Sequence, residues 1–260
     1  GARVYETSAT PHKQSLLKME KIYPECILKR LLPHFILYTK RKISGQLLNK
    51  LEAGYAMGES MAQRIIFPIR NKQGKIHGFS GRHVFWEEGM TQPKWRHLGG
   101  SSNFVWPLYM PNFPECEQTI ADSGRVFLVE SIGDSMALSE SGVPNNLCMF
   151  GLKLSPKIIT ELVRLGVGRI TLSLNKDEAG NGQMAMAKAA LSLLAHFPLE
   201  VIEIKEPTRN DIGAMLCRGD DIKGWAEEKG ITGEALLSYI KERSEHFPKK
   251  YQPLIKKYLK

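Results

Sequence analysis

The chain has 260 residues and a formal net charge of +9, with 42% hydrophobic and 24% charged residues. That length accommodates one large domain or two to three small subdomains, and the balance excludes a fibrous or disordered chain. No apolar run approaches the ~20 residues that cross a bilayer, no secretory pattern opens the chain, and the basic surplus favours polyanionic partners.

In chain order, residues 1–60 read as mostly helical. LLKMEKIY and PECILKRLL carry apolar residues at helical spacing, broken at Pro24 and Pro33. SGQLLNKLEAGY fits a short helix stopped by Gly54. From Arg64 the texture turns to strand: RIIFPIR and KIHGFSGRHVFW, joined at NKQG, whose glycine suits a tight turn. PNFPECEQTIADSG, rich in proline, reads as a connection. A regular alternation follows: strands VFLVE (126–130), NLCMF (146–150), RITLSL (169–174) and LEVIEIK (199–205). The helices between them are SMALSES, ended by Gly142, then SPKIITELVRLG with Ser155 as cap, Pro156 in the first turn and Gly166 at the stop, then QMAMAKAALSLLAHF. Strands separated by helices of this length predict a parallel sheet covered on both faces. IKGWAEEKG, ITGEALLSYIKERSE and YQPLIKKYLK form a small helical segment. The resulting expectation is an α/β protein divided at 1–122, 123–206 and 207–260.

The basic residues are not spread evenly. Seven of them lie between Arg64 and Arg96 (Arg64, Arg70, Lys72, Lys75, Arg82, Lys94, Arg96) against Glu87 and Glu88. Trp86, Trp95, His77, His83 and His97 are interleaved, as suits a groove that follows phosphates and stacks bases; a solvated basic face is the plainer reading. The last twenty residues repeat the bias. Cys26, Cys116, Cys148 and Cys217 are scattered, with no CxxC pair, which predicts reduced thiols in a cytosolic protein.

Ligands of an open α/β sheet bind beyond the carboxyl ends of its strands. Glu130 ends the first strand of the alternating unit, Asp177 follows the third in SLNKDEAGNG, and Asp211 follows the fourth in IKEPTRND. One parallel sheet would bring all three to a single rim, with Asp134 on the next helix turn. Crowded acids repel unless a cation neutralises them, and magnesium prefers such oxygen ligands. The competing reading makes Glu130 and Asp134 exposed loop acids and Asp177 and Asp211 helix caps.

These residues resemble a known family. VESIGDSMAL followed by NKDEAGNG looks like the Toprim motif, a strand-end Glu and then Asp-x-Asp with Ala-Gly. RIIFPIRNKQGKIHGFSGRHV is similar to the core of bacterial and phage DnaG-type DNA primases, and YTKRKISGQLLNKLEAGYA and PKWRHLGGSSNFVWPLY resemble its flanking stretches. The resemblance covers about residues 35–215. It implies a Toprim-type parallel sheet flanked by helices (residues 123–206), an N-terminal mixed α+β subdomain bearing a basic nucleic-acid ridge (1–122), and a small C-terminal helical subdomain (207–260).

The resemblance further implies roles. Glu130 matches the family's metal-site glutamate and Asp134 the aspartate after it. Asp177 matches the second aspartate of Asp-x-Asp, and Asp211 sits where a downstream acid completes the site. Arg70, Arg82 and Lys94 match basic positions for template and nucleotide phosphates. Lys75 belongs to the same nucleic-acid- and nucleotide-binding group, Arg64 is a weaker member, and Trp95 replaces a tyrosine. The cofactor implied is Mg2+ or Mn2+. The partners implied are a single-stranded DNA template, ribonucleoside triphosphates and a replicative helicase, in the bacterial cytoplasm or nucleoid, or in a host cell for a phage protein.

Two departures qualify this. Asn175 stands where the motif has its first aspartate, keeping a metal-binding oxygen but losing a charge, which predicts a weaker second metal position. It fits a phage-like branch, an engineered inactivation or decayed catalysis. The family's zinc-binding and helicase-interaction parts are not visible, and Gly1-Ala2 reads as an expression remnant, so an excised catalytic core is expected. The function implied is primer synthesis, an RNA polymerase reaction on DNA. Two rivals stay open: a Toprim nuclease or topoisomerase using the same acids, and a weakened primase-like module that only grips single-stranded DNA or a helicase.

Overall fold

The computed structural model describes residues 21–259. Two four-stranded sheets form its frame. The first is antiparallel, in the order β1 (Gly54–Ala56), β2 (Arg64–Arg70), β3 (Ile76–His83), β4 (Trp95–Leu98). The second is parallel throughout: β5 (Arg125–Val129), β6 (Asn146–Cys148), β7 (Arg169–Ser173) and β8 (Ile202–Ile204) lie in the order β6-β5-β7-β8. Helices α1 (Ile36–Thr39) and α2 (Gly45–Lys50) precede the first sheet, and α3 (Glu115–Ser123) links the two. Helices α4 (Ile132–Glu140), α5 (Pro156–Arg164) and α6 (Asn181–Leu193) alternate with the strands of the second sheet. The chain then runs through α7 (Ile212–Arg218), α8 (Ile222–Glu227), α9 (Gly233–Ser244) and α10 (Gln252–Tyr258). None of the described helices is long and apolar enough to cross a membrane.

The alternating unit folds as its pattern predicts, because its strands are apolar on both sides. Val126 and Leu128 pack into the main core, while Phe127 and Val129 face a second cluster built with Ile212, Met215 and Trp225. This two-residue alternation is what a sheet sandwiched between helices requires. Ser155 caps α5 by accepting from the Ile158 N–H at 3.2 Å, Pro156 opens the helix, and Gly166 takes φ 61° after its end. The NKQG turn forms with Gly74 at φ 74°, its loop braced by Asn71 Oδ1, which accepts from the Gln73 and Lys75 N–H groups.

The N-terminal part departs from expectation. Most of LLKMEKIY lies outside the described residues. PECILKRLL makes only a short 3-10 helix, Glu25–Arg30, because its flanks are drawn into extended pairing: Tyr23 bridges Ile76 and Leu32 bridges Tyr55. Helix α2 stops at Lys50, with Glu52 in the left-handed region at φ 54°, so Gly54 is not its stop. Gly54 instead opens β1, where a Cβ would lie 2.4 Å from the Leu31 Cβ. PNFPECEQTIADSG is not a plain connection, since α3 begins directly after Pro114 and buries Cys116 and Ile120. The predicted strands NLCMF and LEVIEIK are trimmed to three residues each.

The edge of the parallel sheet formed by the first residues of its strands carries a buried ionic cluster. Glu203, fully buried on β8, accepts from Arg169 at 2.6 Å, from Arg125 at 3.2 Å, from the Thr171 hydroxyl at 2.6 Å and from the Gly230 N–H at 2.5 Å. Burial alone would raise its carboxyl, but Arg169, Thr171 and the Gly230 N–H outweigh burial and hold it below the usual range. Its stabilisation is therefore full above the ordinary glutamate value of ~4.3 and fades as pH falls through the depressed folded value. Glu203→Ala leaves the half-buried Arg125 without its carboxylate partner, and urea melts at neutral pH are expected to show a loss of about 3–5 kcal/mol. The gap between variant and wild type should shrink below pH 4.

Candidate active site

The opposite edge of the same sheet holds acids without arginine partners. Glu130 leaves β5 and Ser131 caps α4 by accepting from the Asp134 N–H. The Ser131 hydroxyl donates to Asp134 Oδ2 at 2.7 Å, and the Gly213 N–H donates to Asp134 Oδ1 at 3.3 Å. Asp211 caps α7 through its Oδ1, which accepts from the Ala214 N–H at 2.5 Å. Asn175 leaves β7, and its backbone N–H reaches Glu130 Oε2 at 3.4 Å. The next residue ties this exit to the α7 entry, the Lys176 N–H donating to Asn210 O at 2.7 Å. Asp177 is exposed, and its Oδ1 accepts from the Asn181 N–H at 2.8 Å at the start of α6. Helix α6 can approach this closely only because residue 182 is glycine: a Cβ there would sit 1.7 Å from the Asn175 carbonyl oxygen.

The charges of the rim are under strain. Glu130 is raised above the usual carboxylate range, by burial first and then by the neighbouring Asp177 and Asp211, against the pull of the Asn175 N–H and Lys94. Asp134 is buried and pushed up to about 6, again by burial first and by Asp211 next.

A basic wall faces this rim across a cavity of about 340 Å³. In the antiparallel sheet Ser80 lies opposite His97 and Arg82 opposite Trp95, so all four share one face, and all four line the cavity. Tyr38, Arg41 and Lys94 complete that wall; Glu130, Asn175 and Asp211 form the other. The Lys94 ammonium is held below its usual value by burial, Arg82 and Arg41, while Asp211 and Asp134 pull the other way. Trp86 stacks beneath the same cations, with the Lys94 Nζ 5.3 Å and the Arg82 guanidinium 5.9 Å from its ring centre.

The remaining sequence-predicted basic residues lie elsewhere. Arg64 is buried and donates to Gly81 O, Lys94 O and Pro93 O, which holds the approach to β4 in place. Arg70 is spanned by the carboxylates of Glu52 and Glu25. Lys75 is exposed beside the β2–β3 turn. None of these three lines the cavity, whereas Arg82, Lys94 and Trp95 do. The sequence pattern marks neither Tyr38 nor Arg41 as a site residue: Tyr38 lies on α1, only four residues long, and Arg41 in the turn after it. Asp134, buried, and Asp177, exposed, are not among the residues that line the cavity.

Among the described residues no group of three or more His, Cys, Asp or Glu side chains closes into a metal centre. The donor set, hard oxygens with surplus negative charge at Glu130 and Asp211, fits a divalent ion that shares its ligands with substrate phosphates.

No family model matches the chain. A DNA primase of Staphylococcus aureus (strain COL) is 28% identical over 165 residues, 64% of this chain and 26% of that protein. The chain spans about a quarter of the length of the curated relatives it matches. A DNA primase domain from Pseudomonas aeruginosa aligns at a TM-score of 0.68 and 18% identity, covering 90% of this chain and 88% of that one. A DnaG primase catalytic domain bound to ssDNA aligns at 0.66 and 16% identity over the same shares. The chain thus has the fold of the DnaG primase catalytic core and resembles DNA primases in sequence.

The strain at Asp134 has a sign that can be measured. Its folded value of about 6 exceeds the ordinary ~3.9, so the folded protein holds this proton longer than the unfolded chain and loses stability as pH rises between the two values. In metal-free protein Asp134→Asn is expected to raise Tm at pH 8 and to leave it unchanged near pH 4, as read from thermal melts.

Proposed function

We propose, from the primase-core fold and the cleft it builds, that the chain synthesises short RNA primers on single-stranded DNA by metal-dependent nucleotidyl transfer. The observation that carries this reading is the pairing of an acidic rim with a cationic wall across one cavity: Glu130, Asn175 and Asp211 against Arg41, Arg82 and Lys94. Such a cavity suits a polyphosphate, whose charge answers the wall while its reacting end meets the rim.

In the reaction the primer 3′-oxygen forms a bond to the α-phosphorus of a ribonucleoside triphosphate, the bond to the pyrophosphate oxygen breaks, and the hydroxyl proton passes to water. A magnesium or manganese ion held by Glu130 and Asp211 would supply Lewis-acid stabilisation of the charge that develops. Arg41, Arg82 and Lys94 orient the triphosphate and the template backbone, contacts that give affinity without sequence preference. Trp95, in the cavity wall, and Trp86, under the cations, offer faces for base stacking. Asp134 holds the Ser131 turn against the start of α7 and so keeps Asp211 across from Glu130. A replicative helicase as partner belongs to the same reading.

Glu130→Gln preserves shape and removes a charge, and primer synthesis on a single-stranded template with magnesium is expected to fall by at least ~100-fold, the usual loss for a lost group that stabilises transition-state charge. Undiminished synthesis would sink the proposal, and nicking of supercoiled plasmid without primer formation would favour a Toprim-type nuclease. Arg82→Ala removes one phosphate contact, so the slope of log affinity for single-stranded DNA against log salt should fall by about 0.7.

A further inference from the structure

We propose that this cleft works with one divalent ion, held by Glu130 and Asp211, and that the Lys94 ammonium supplies the fixed positive charge a second ion would otherwise bring. The proposal rests on the functional reading above and concerns only how the acidic rim is neutralised.

Three observations carry it. First, position 175 is asparagine, so the ligand beside Glu130 offers a neutral carbonyl, and its backbone N–H already points at Glu130 Oε2. Second, Asp177, the aspartate of that loop, is exposed and does not line the cavity, whereas Asp211 does. Of the two residues of that loop that could serve a second ion, one is therefore neutral and the other lies outside the cavity lining. Third, Lys94 lines the cavity together with Glu130, Asn175 and Asp211, and its ammonium interacts with Glu130, Asp134 and Asp211.

A second divalent ion would oppose the first with twice the repulsion that an ammonium exerts at the same distance, and Asn175 contributes no charge to offset it.

The test is to titrate metal-free protein with manganese chloride and read free Mn2+ by electron paramagnetic resonance. One ion per chain is expected for the wild type and two for Asn175→Asp. Lys94→Met should bind its first ion roughly tenfold tighter, as expected when an ammonium's repulsion is removed from a partly solvated site; Lys94→Arg should keep wild-type binding. Two ions or none in the wild type, a single ion in Asn175→Asp, or unchanged binding in Lys94→Met would overturn the proposal. Primer synthesis measured on the same preparations separates the two ideas. An active enzyme with two bound ions removes the one-ion assignment and leaves the function standing, whereas an inactive protein with one bound ion does the reverse.

Discussion

The cleft exists because two sheets of different kinds are joined rigidly, and the join is made by backbone. The Cys148 N–H, at the end of β6, donates to Trp106 O at 2.8 Å, which ties the segment after the antiparallel sheet to the outer strand of the parallel one. Trp106 is buried and meets Phe67 of β2 edge-on, and Phe67 meets Tyr38 in the same way. These rings belong to the one apolar cluster that also holds Val126, Leu128 and α6. Ser44 adds a polar tie, its N–H and hydroxyl both donating to Glu140 Oε2 at the end of α4. Sliding one sheet past the other would break all of these together, so the basic face of β3 and β4 stays opposite the acids.

What was legible in the sequence follows from where its patterns are local. The βα alternation from residue 126 onward combines apolar runs, caps and stops within a few residues of one another, and the topology of a parallel sheet then brings Glu130 and Asp211 to one edge, while Asp177, expected beside them, lies outside the cavity lining and Asn175 lies within it. Residues 21–60 misled because their helical spacing competes with partners far along the chain: Ile76 and Tyr55 draw the flanks of the Glu25–Arg30 turn into extended bridges. Helix α3 was hidden by prolines that precede it without interrupting it.

The arginines show a different limit. Arg64, Arg70 and Arg82 stand in one basic stretch, and nothing local separates an arginine bound to protein from one open to a ligand. Arg70 meets Glu25 and Glu52, both distant in sequence, and Arg64 satisfies carbonyls of the β4 approach. On β2 and β3 the facing rule decides the matter, since Arg82 shares the face of Ser80 while Arg64 shares that of Gly81. Arg41, in contrast, reaches the cavity from the turn after α1, where no period exists to mark it.

The parallel sheet itself makes the functional argument, because it carries acids at both ends and treats them oppositely. At one end Arg125 and Arg169, the first residues of β5 and β7, converge on Glu203 with a hydroxyl and an N–H, and that carboxyl is held ionised. At the other end Glu130 and Asp134 are raised, Asp211 and Asp177 press on them, and the cations stand across a cavity instead of in contact. The capping role of Asp211 does not compete with this. Binding the Ala214 N–H fixes its carboxylate at the cavity wall, so the helix start that it caps is also what aims it. The arginines that neutralise Glu203 at one edge have no counterpart in contact with Glu130 and Asp134 at the other, and buried carboxylates in that condition mark a candidate functional site.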